Sequence, residues 1–234
     1  VIKTEDKESY IDFTNRSRKY LYDFVPNWNG CFVSGGFFPR FYYDIPLRDI
    51  DIYTNSSMDY ECFLGEFKNN RSYQLYNDAS PTEFSTFYNE AENIYVDLIG
   101  FHSPRAVVFV NGFDFRLCSL HMSTSSLKPN TTNAEAFSDI QKKRLVYRCN
   151  AMAFESKKYA KNNSTIKRLI KYMELGFSPE GDIGKNIYDD IFSQGRAQGR
   201  DEARSDFLDA DTIVASMRYT SLNPADSLRP LPAS

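Results

Sequence analysis

The sequence predicts an α+β fold, with strands and helices mixed through a head and a small basic helical region after it. Three observations carry this. Short period-2 or fully apolar runs, CFVS, DIDIYT and IYVDLIG, are separated by amphipathic stretches at helical spacing. Of the 234 residues, 41% are hydrophobic and 15% aromatic, enough for a real core and unlike a disordered chain. The charge then changes character along the chain. Residues 137–172 hold ten Lys or Arg against two acidic residues, whereas 173–234 hold eleven acidic against six basic. These shifts divide the chain into a head at 1–135, a basic helical region at 136–177 and an acidic helical or flexible tail at 178–234.

The elements follow in order. Tyr10, Phe13, Tyr20, Leu21 and Phe24 recur at helical spacing with Arg16, Arg18 and Lys19 between them, so residues 8–24 form a first amphipathic helix, ended by Pro26 and NWNG. CFVS is a strand running into the Gly35-Gly36 turn, and PLRDIDIYT is a strand with period 2. Residues 56–80 are expected to be a helix, capped by Ser56 or Ser57, and then a polar connection. Residues 92–101 are a strand; 107–122 are a turn or short helix and a strand; 123–134 are a loop. Val146, Cys149 and Ala153, then Ile166, Leu169, Ile170 and Met173, predict two basic amphipathic helices, with Gly176 as the C-cap of the second.

Composition narrows the chemistry. Cys31, Cys62, Cys118 and Cys149 lack the paired spacing of a zinc site, and their wide separation speaks against a disulfide framework and for a reducing, cytoplasmic setting. No apolar run approaches the roughly 20 residues of a membrane span, so no membrane partner is expected. No GKS or GKT phosphate loop occurs. His102 and His121 lie near strand ends, where packing or hydrogen bonding is the expected role.

The carboxylates are the sharpest signal. Asp49 and Asp51 stand at i and i+2 on a strand, so their side chains share one face, while Ile50 and Ile52 point to the other. Two like charges side by side need water, basic partners or a cation, and oxygen donors of this kind suit Mg²⁺ together with substrate phosphates. Asp97, inside IYVDLIG, is a third carboxylate on a strand, and Asp114 in GFDF a fourth acid. Ser34, Gly35 and Gly36 form a turn whose backbone can approach a phosphate closely. Each feature also has a plainer meaning: a solvated edge strand, a tight turn, a surface ion pair. The aromatics and Arg40 of FFPRFYYDIPL lie between the turn and the aspartates and are expected to cover a bound nucleotide. Lys142, Lys143, Arg144 and Arg148, then Lys157, Lys158, Lys161, Lys167, Arg168 and Lys171, offer contacts to triphosphate or an RNA backbone, with Tyr147, Tyr159 and Tyr172 placed to stack bases. A solvated helix face and core edges are the competing roles.

Gly35-Gly36, then Asp49-x-Asp51 among apolar neighbours, then Asp97 on a later strand: this order resembles the DNA polymerase beta-like nucleotidyltransferases. The likeness is closest to the head of tRNA nucleotidyltransferases (CCA-adding enzymes) and poly(A) polymerases, and it extends over about residues 30–177. FDFRLCSLHM resembles that branch's Asp-Phe-Thr-Ile-Asn-Ala segment at Asp114 and Phe115, with Arg116 and Cys118 in place of Thr and Asn. KRLIKYMELGF resembles the helix after its catalytic head. The base-reading Glu-Asp-x-x-Arg element is absent. The resemblance implies a nucleotidyltransferase-like mixed sheet flanked by helices. It implies transfer of a nucleoside monophosphate from an NTP such as ATP to a hydroxyl, an RNA 3′ end among the acceptors, with release of pyrophosphate. By the same likeness, Asp49, Asp51 and Asp97 are the catalytic and metal-binding residues, holding two Mg²⁺ ions or Mn²⁺ in their place. Ser34, Gly35, Gly36, Arg40, Arg48, Lys143 and Arg144 are its nucleotide-binding residues. Small bacteriophage proteins of this type extend the expectation to a host cytoplasm. The alternative is an inactive protein of the same fold, binding nucleic acid or serving in a phage virion.

Overall fold

In the computed structural model, residues 8–25, 27–80, 84–100, 110–123, 131–148 and 163–187 are described. The chain divides into two units, Val1–Met152 and Ala153–Ser234. The first is built on a six-stranded mixed sheet. Its strands are β1 (Cys31–Ser34), β2 (Asp49–Thr54), β3 (Tyr73–Ser80), β4 (Phe84–Asn89), β5 (Ile94–Gly100) and β6 (His121–Met122), in the order β3-β4-β5-β2-β1-β6. Only β2 and β5 run parallel; the other neighbours are antiparallel. Among the described residues its helices are α1 (Tyr10–Leu21), α2 (Phe37–Tyr42), α3 (Ser57–Asn69) and α4 (Thr131–Gln141), with a 3-10 turn at Arg116–Ser119.

Local chemistry sets the helix starts. Ser9 opens α1 and Ser56 opens α3. Each hydroxyl accepts the backbone N–H three residues on, Asp12 at 3.2 Å and Asp59 at 3.1 Å, and donates to that aspartate's carboxylate at 2.6 Å. The same Ser-x-x-Asp device therefore satisfies a helix-end donor and places a negative charge at the positive end of each dipole.

The two faces of the sheet have different fates. Val33, Ile50, Ile52, Phe87, Val96 and Leu98 are all buried. Against this apolar face α3 lays Phe67, stacked on Phe87 with centroids 5.0 Å apart, and Tyr60, whose hydroxyl shares a 2.8 Å hydrogen bond with Ser85. The opposite face is covered over only part of its length. Phe32 and Tyr53 stack at 5.0 Å and pack with Val110, Ile99 and Phe113. Farther along the same face, at Asp49, Asp51 and Asp97, the side chains are partly exposed.

A second aromatic cluster joins the helices. Phe13 of α1 meets Phe38 of α2 and Phe137 of α4, and Tyr20 stacks on Phe37. FFPRFY is thus a core helix. Phe37 and Phe38 are buried, which corrects the expectation that these rings cover a nucleotide. Pro39 is tolerated because it lies in the first turn, where its missing N–H has no helical partner.

Three further expectations change. The helix expected at SMDYECFLGEFKNN forms as Ser57–Asn69, but the polar connection expected from there to residue 80 is the strand β3, and β4 follows it; FSTFYN carries the β-branched and aromatic residues of a strand. The loop expected over 123–134 already contains the start of α4 at Thr131. The first basic helix, expected around Val146, is absent from the described residues 142–148. Lys143 has φ +49°, residues Arg144–Leu145 are extended, and Arg148 N–H donates to the Asp114 carbonyl. Cys149 to Asn162, His102 and residues 188–234 lie outside the described residues.

In the second unit α5 (Asn163–Glu174) buries Leu169 and Tyr172. Gly176 ends it at φ +83°. Its N–H bonds to the Met173 carbonyl, Phe177 N–H reaches back to Tyr172, and the Phe177 and Tyr172 rings meet at 5.8 Å. This is a Schellman cap with its hydrophobic contact, as expected for Gly176.

One buried ion cluster fixes the 3-10 turn. Asp139, fully buried on α4, accepts a fork from Arg116 at 2.6 and 2.9 Å and a third bond from Arg144 at 2.7 Å. Asp139→Ala removes the carboxylate that two partly buried guanidinium groups share, and leaves Arg116 its weaker pair with Glu135 at 3.7 Å. It is expected to lower stability by about 2–4 kcal/mol, read as a lower urea midpoint at unchanged m-value.

Candidate active site

Strand register brings the three sequence-predicted carboxylates together. Asp51 pairs with Asp97 across the parallel β2–β5 ladder, and with Ser34 across the antiparallel β1–β2 ladder. Asp49, two residues before Asp51, pairs with Tyr95. Ser34, Asp49, Asp51 and Asp97 therefore share one face at the end of the sheet that Val110 and Phe113 leave open.

Electrostatics follows from this placement. The Asp97 carboxyl is held above its ordinary value, first by burial and also by the nearby Asp49 charge; the Thr86 hydroxyl, donating to Asp97 Oδ1 at 2.6 Å, pulls the other way. The site thus contains a carboxyl that gives up its proton less readily than a solvated one. Thr86 was not among the expected site residues. Its strand was not expected either, although the β-propensity of FSTFYN was the available signal.

Gly35 shows why glycine stands in the turn. Its φ is +95°, and a Cβ there would collide with the Asp51 carboxylate. The turn is held from below. Gly35 N–H donates to the Cys118 carbonyl at 3.1 Å, and the buried Ser34 hydroxyl lies 3.0 and 2.9 Å from the carbonyls of Cys118 and Leu120. Ser34 and Gly35 thus line the floor but direct these groups into the protein. Gly36 is partly exposed at the start of α2.

The expected basic residues separate into two groups. Arg48 is exposed immediately before Asp49. Arg40 is buried and donates to the Pro46 carbonyl at 2.7 Å, Arg144 binds the buried Asp139, and the Lys143 ammonium sits 4.4 Å from the centre of the Tyr43 ring. These last three hold loops and helices in place. Asp114 is buried and accepts its neighbour's N–H, Phe115, at 3.0 Å. His121 is buried too, with Nδ1 3.1 Å from the Ser119 carbonyl and its N–H bonded to Asn133; burial lowers its pKa.

The donor set is all carboxylate oxygen, the chemistry of Mg²⁺ or Mn²⁺. Among the described residues no three His, Cys, Asp or Glu side chains close into a metal-holding group. The aspartates form an open face, which suits an ion completed by water and phosphate oxygens rather than a protein cage. A separate depression of about 640 Å³ beside α3, lined by Asp23, Glu61, Cys62 and Tyr73 among others, contains none of the three aspartates.

No protein-family model and no curated protein sequence matches the chain. Solved structures do. A complex of a CCA-adding enzyme with CTP superposes with a TM-score of 0.55 at 12% identity, covering 93% of this chain and 57% of that one. A complex of a CCA-adding enzyme with ATP gives 0.52 at 15% identity, covering 89% and 51%. The chain spans about half the length of the structures it resembles. The α+β head with its mixed sheet has the nucleotidyltransferase-like fold of the CCA-adding enzymes, the fold that the resemblance implied.

Proposed function

We propose that the protein is a metal-dependent nucleotidyltransferase, moving a nucleoside monophosphate from an NTP to a hydroxyl acceptor with release of pyrophosphate. The observation that carries this is the in-register row Ser34–Asp51–Asp97, with Asp49 beside it, on the open half of a sheet face. The fold shared with structures whose complexes hold CTP and ATP supports it.

In this reading Asp49, Asp51 and Asp97 hold the divalent cation. When bound, the cation neutralises phosphate charge and favours the ionised acceptor hydroxyl. The protein supplies position. Gly35 leaves the Asp51 carboxylate its room, and Thr86 fixes one Asp97 oxygen so that the other faces the acceptor. The acceptor oxygen bonds to the α-phosphorus, the bridge to the β-phosphate breaks so that pyrophosphate leaves, and the acceptor proton passes to Asp97. Exposed Arg48 and Gly36 are the groups assigned to the triphosphate. Ser34 and Gly35 build the floor beneath it.

Three outcomes test the proposal. Calorimetric titration with Mg²⁺ and each NTP should detect binding that Asp49→Ala or Asp51→Ala weakens by about 10-fold or more, the scale of one lost charged contact of ~1.5–3 kcal/mol. Metal-independent binding, or none at all, overturns the proposal. Gly35→Ala should cost about 1–3 kcal/mol of stability through its positive φ, and should reduce the same metal–nucleotide binding by displacing Asp51.

The third outcome is a pH dependence. The folded pKa of Asp97 lies above its ordinary value of 3.8, so the folded state binds this proton more tightly. Its contribution to stability is fullest below pH ~3.8 and declines as pH rises through the folded pKa. Asp97→Asn keeps an acceptor for Thr86 and removes the charge. In metal-free buffer at pH 7 it should melt above wild type, and the gap should close as pH falls toward 4. A gap that is constant with pH would overturn the raised pKa of Asp97, burial and the Asp49 charge together.

A further inference from the structure

The open face does not stop at the carboxylates. On the β5 side it continues into three tyrosines, from three successive strands. Tyr95 pairs in register with Asp49 on one side and with Tyr88 on the other. The Tyr95 ring lies 5.0 Å from Tyr88 and 5.1 Å from Tyr76 of β3, centre to centre. Tyr76 is 69% exposed and Tyr95 36%. Tyr88 is anchored, its hydroxyl donating to Asn93 at 3.0 Å. These rings are unlike the aromatics of α1 and α2, which are turned into the core. They form a pre-ordered aromatic surface next to a row of charge.

We propose that Tyr76, Tyr88 and Tyr95 are the platform on which the acceptor stacks its last bases, and that the acceptor is the unpaired end of a nucleic acid. This rests on the nucleotidyl-transfer reading of the aspartates. Three features select this occupant. The strand order puts the Gly35-Gly36 turn on the β1 side of the aspartates and the tyrosines on the β5 side. A triphosphate at the turn and an acceptor on the rings would thus meet over the carboxylates from opposite sides. The spacing fits as well. Adjacent strands lie ~4.8 Å apart and alternate residues ~6.8 Å, so a base on Tyr95 brings its sugar hydroxyl toward Asp49 and Asp97. Lastly, stacking on aromatic faces needs no particular base, and exposed Arg48, whose carbonyl accepts the Tyr95 N–H at 3.0 Å, supplies positive charge for the backbone. A base-paired duplex would keep its faces stacked on itself and gain nothing from the rings.

The test is fluorescence anisotropy with a 5′-labelled octaadenylate RNA, titrated with the full chain. Wild type should bind it. Tyr76→Ala and Tyr95→Ala should each weaken binding by about 10-fold, whereas Tyr76→Phe and Tyr95→Phe should retain it. The octamer annealed to its complement should bind at least as weakly as the octamer does to the alanine variants. Tyr76→Ala, at the most exposed ring, carries the test alone if Tyr95→Ala does not fold, as judged by circular dichroism. No binding by wild type, equal binding by the alanine variants, or equal binding of the duplex overturns the proposal. So does an equally large Tyr76→Ala effect on ATP, which would give the rings to the incoming nucleotide. A change of oligomeric state on Tyr76→Ala also overturns it, by marking a protein interface. Calorimetry of wild type with Mg²⁺ and ATP, run in parallel, separates the two readings. Tyrosine-dependent RNA binding without metal–nucleotide binding removes the transferase and leaves the platform. The converse result leaves the transferase and removes the platform.

Discussion

The parallel pairing of β2 with β5 is the constraint on which the rest of the structure depends. It sets Asp51 directly beside Asp97 and Asp49 one step along the same face. Like charges in such positions repel, and a slip of one residue in either strand would send its carboxylate into the α3-facing core and its apolar neighbours into water. Ile50, Ile52, Val96 and Leu98, all fully buried, hold the register against that repulsion. The apolar alternation is therefore what makes the carboxylate row possible. The partial cover on the other face completes it: Val110 and Phe113 close over Phe32 and Tyr53 and stop short of the aspartates.

The floor of the site is fixed from a different direction. Asp139 on α4 draws in Arg116, which begins the 3-10 turn, and that turn presents the Cys118 carbonyl to Ser34 and Gly35. A buried acid more than 80 residues away in sequence thus sets the height of the glycine turn beside Asp51. The arginines 116 and 144 contribute by satisfying that acid. A planar guanidinium with a fork of donors suits the task better than an ammonium. Arg144, in the basic stretch, thus serves a carboxylate already inside the protein.

What the sequence disclosed and what it hid divide along physical lines. The DIDIYT and IYVDLIG strands were legible because alternation with period 2 is a local pattern, and so were the α1 periodicity and the Gly176 cap. β3 was hidden because it follows the α3 helix after three polar residues, without a Pro or Gly break, and β4 was hidden with it; Tyr76, Tyr88 and Thr86 went unread with them. FFPRFY was misread for a related reason. Its position between turn and aspartates suggests a cover, but its rings are turned into a cluster with Phe13, Phe137 and Tyr20, residues that only tertiary structure brings near. Arg144 looked like a helix-face cation because its partner Asp139 sits on another element.

The Asp97 carboxyl gives the strongest internal argument about what this face is for. Burial and Asp49 raise its pKa, and a single hydroxyl, from Thr86, opposes them. A strand selected for stability alone would carry Thr or Val there, since β-branched residues suit the pleated surface and bring no charge to desolvate. A carboxyl kept in such a place is stabilised by whatever brings positive charge to it. Exposed Arg48 lies immediately before Asp49, at the start of β2. A divalent cation, as proposed, is a source that would serve Asp49, Asp51 and Asp97 together. The like charge gathered on this face and the proposed chemistry are then the same fact: the repulsion within the row is the attraction that would seat the ion.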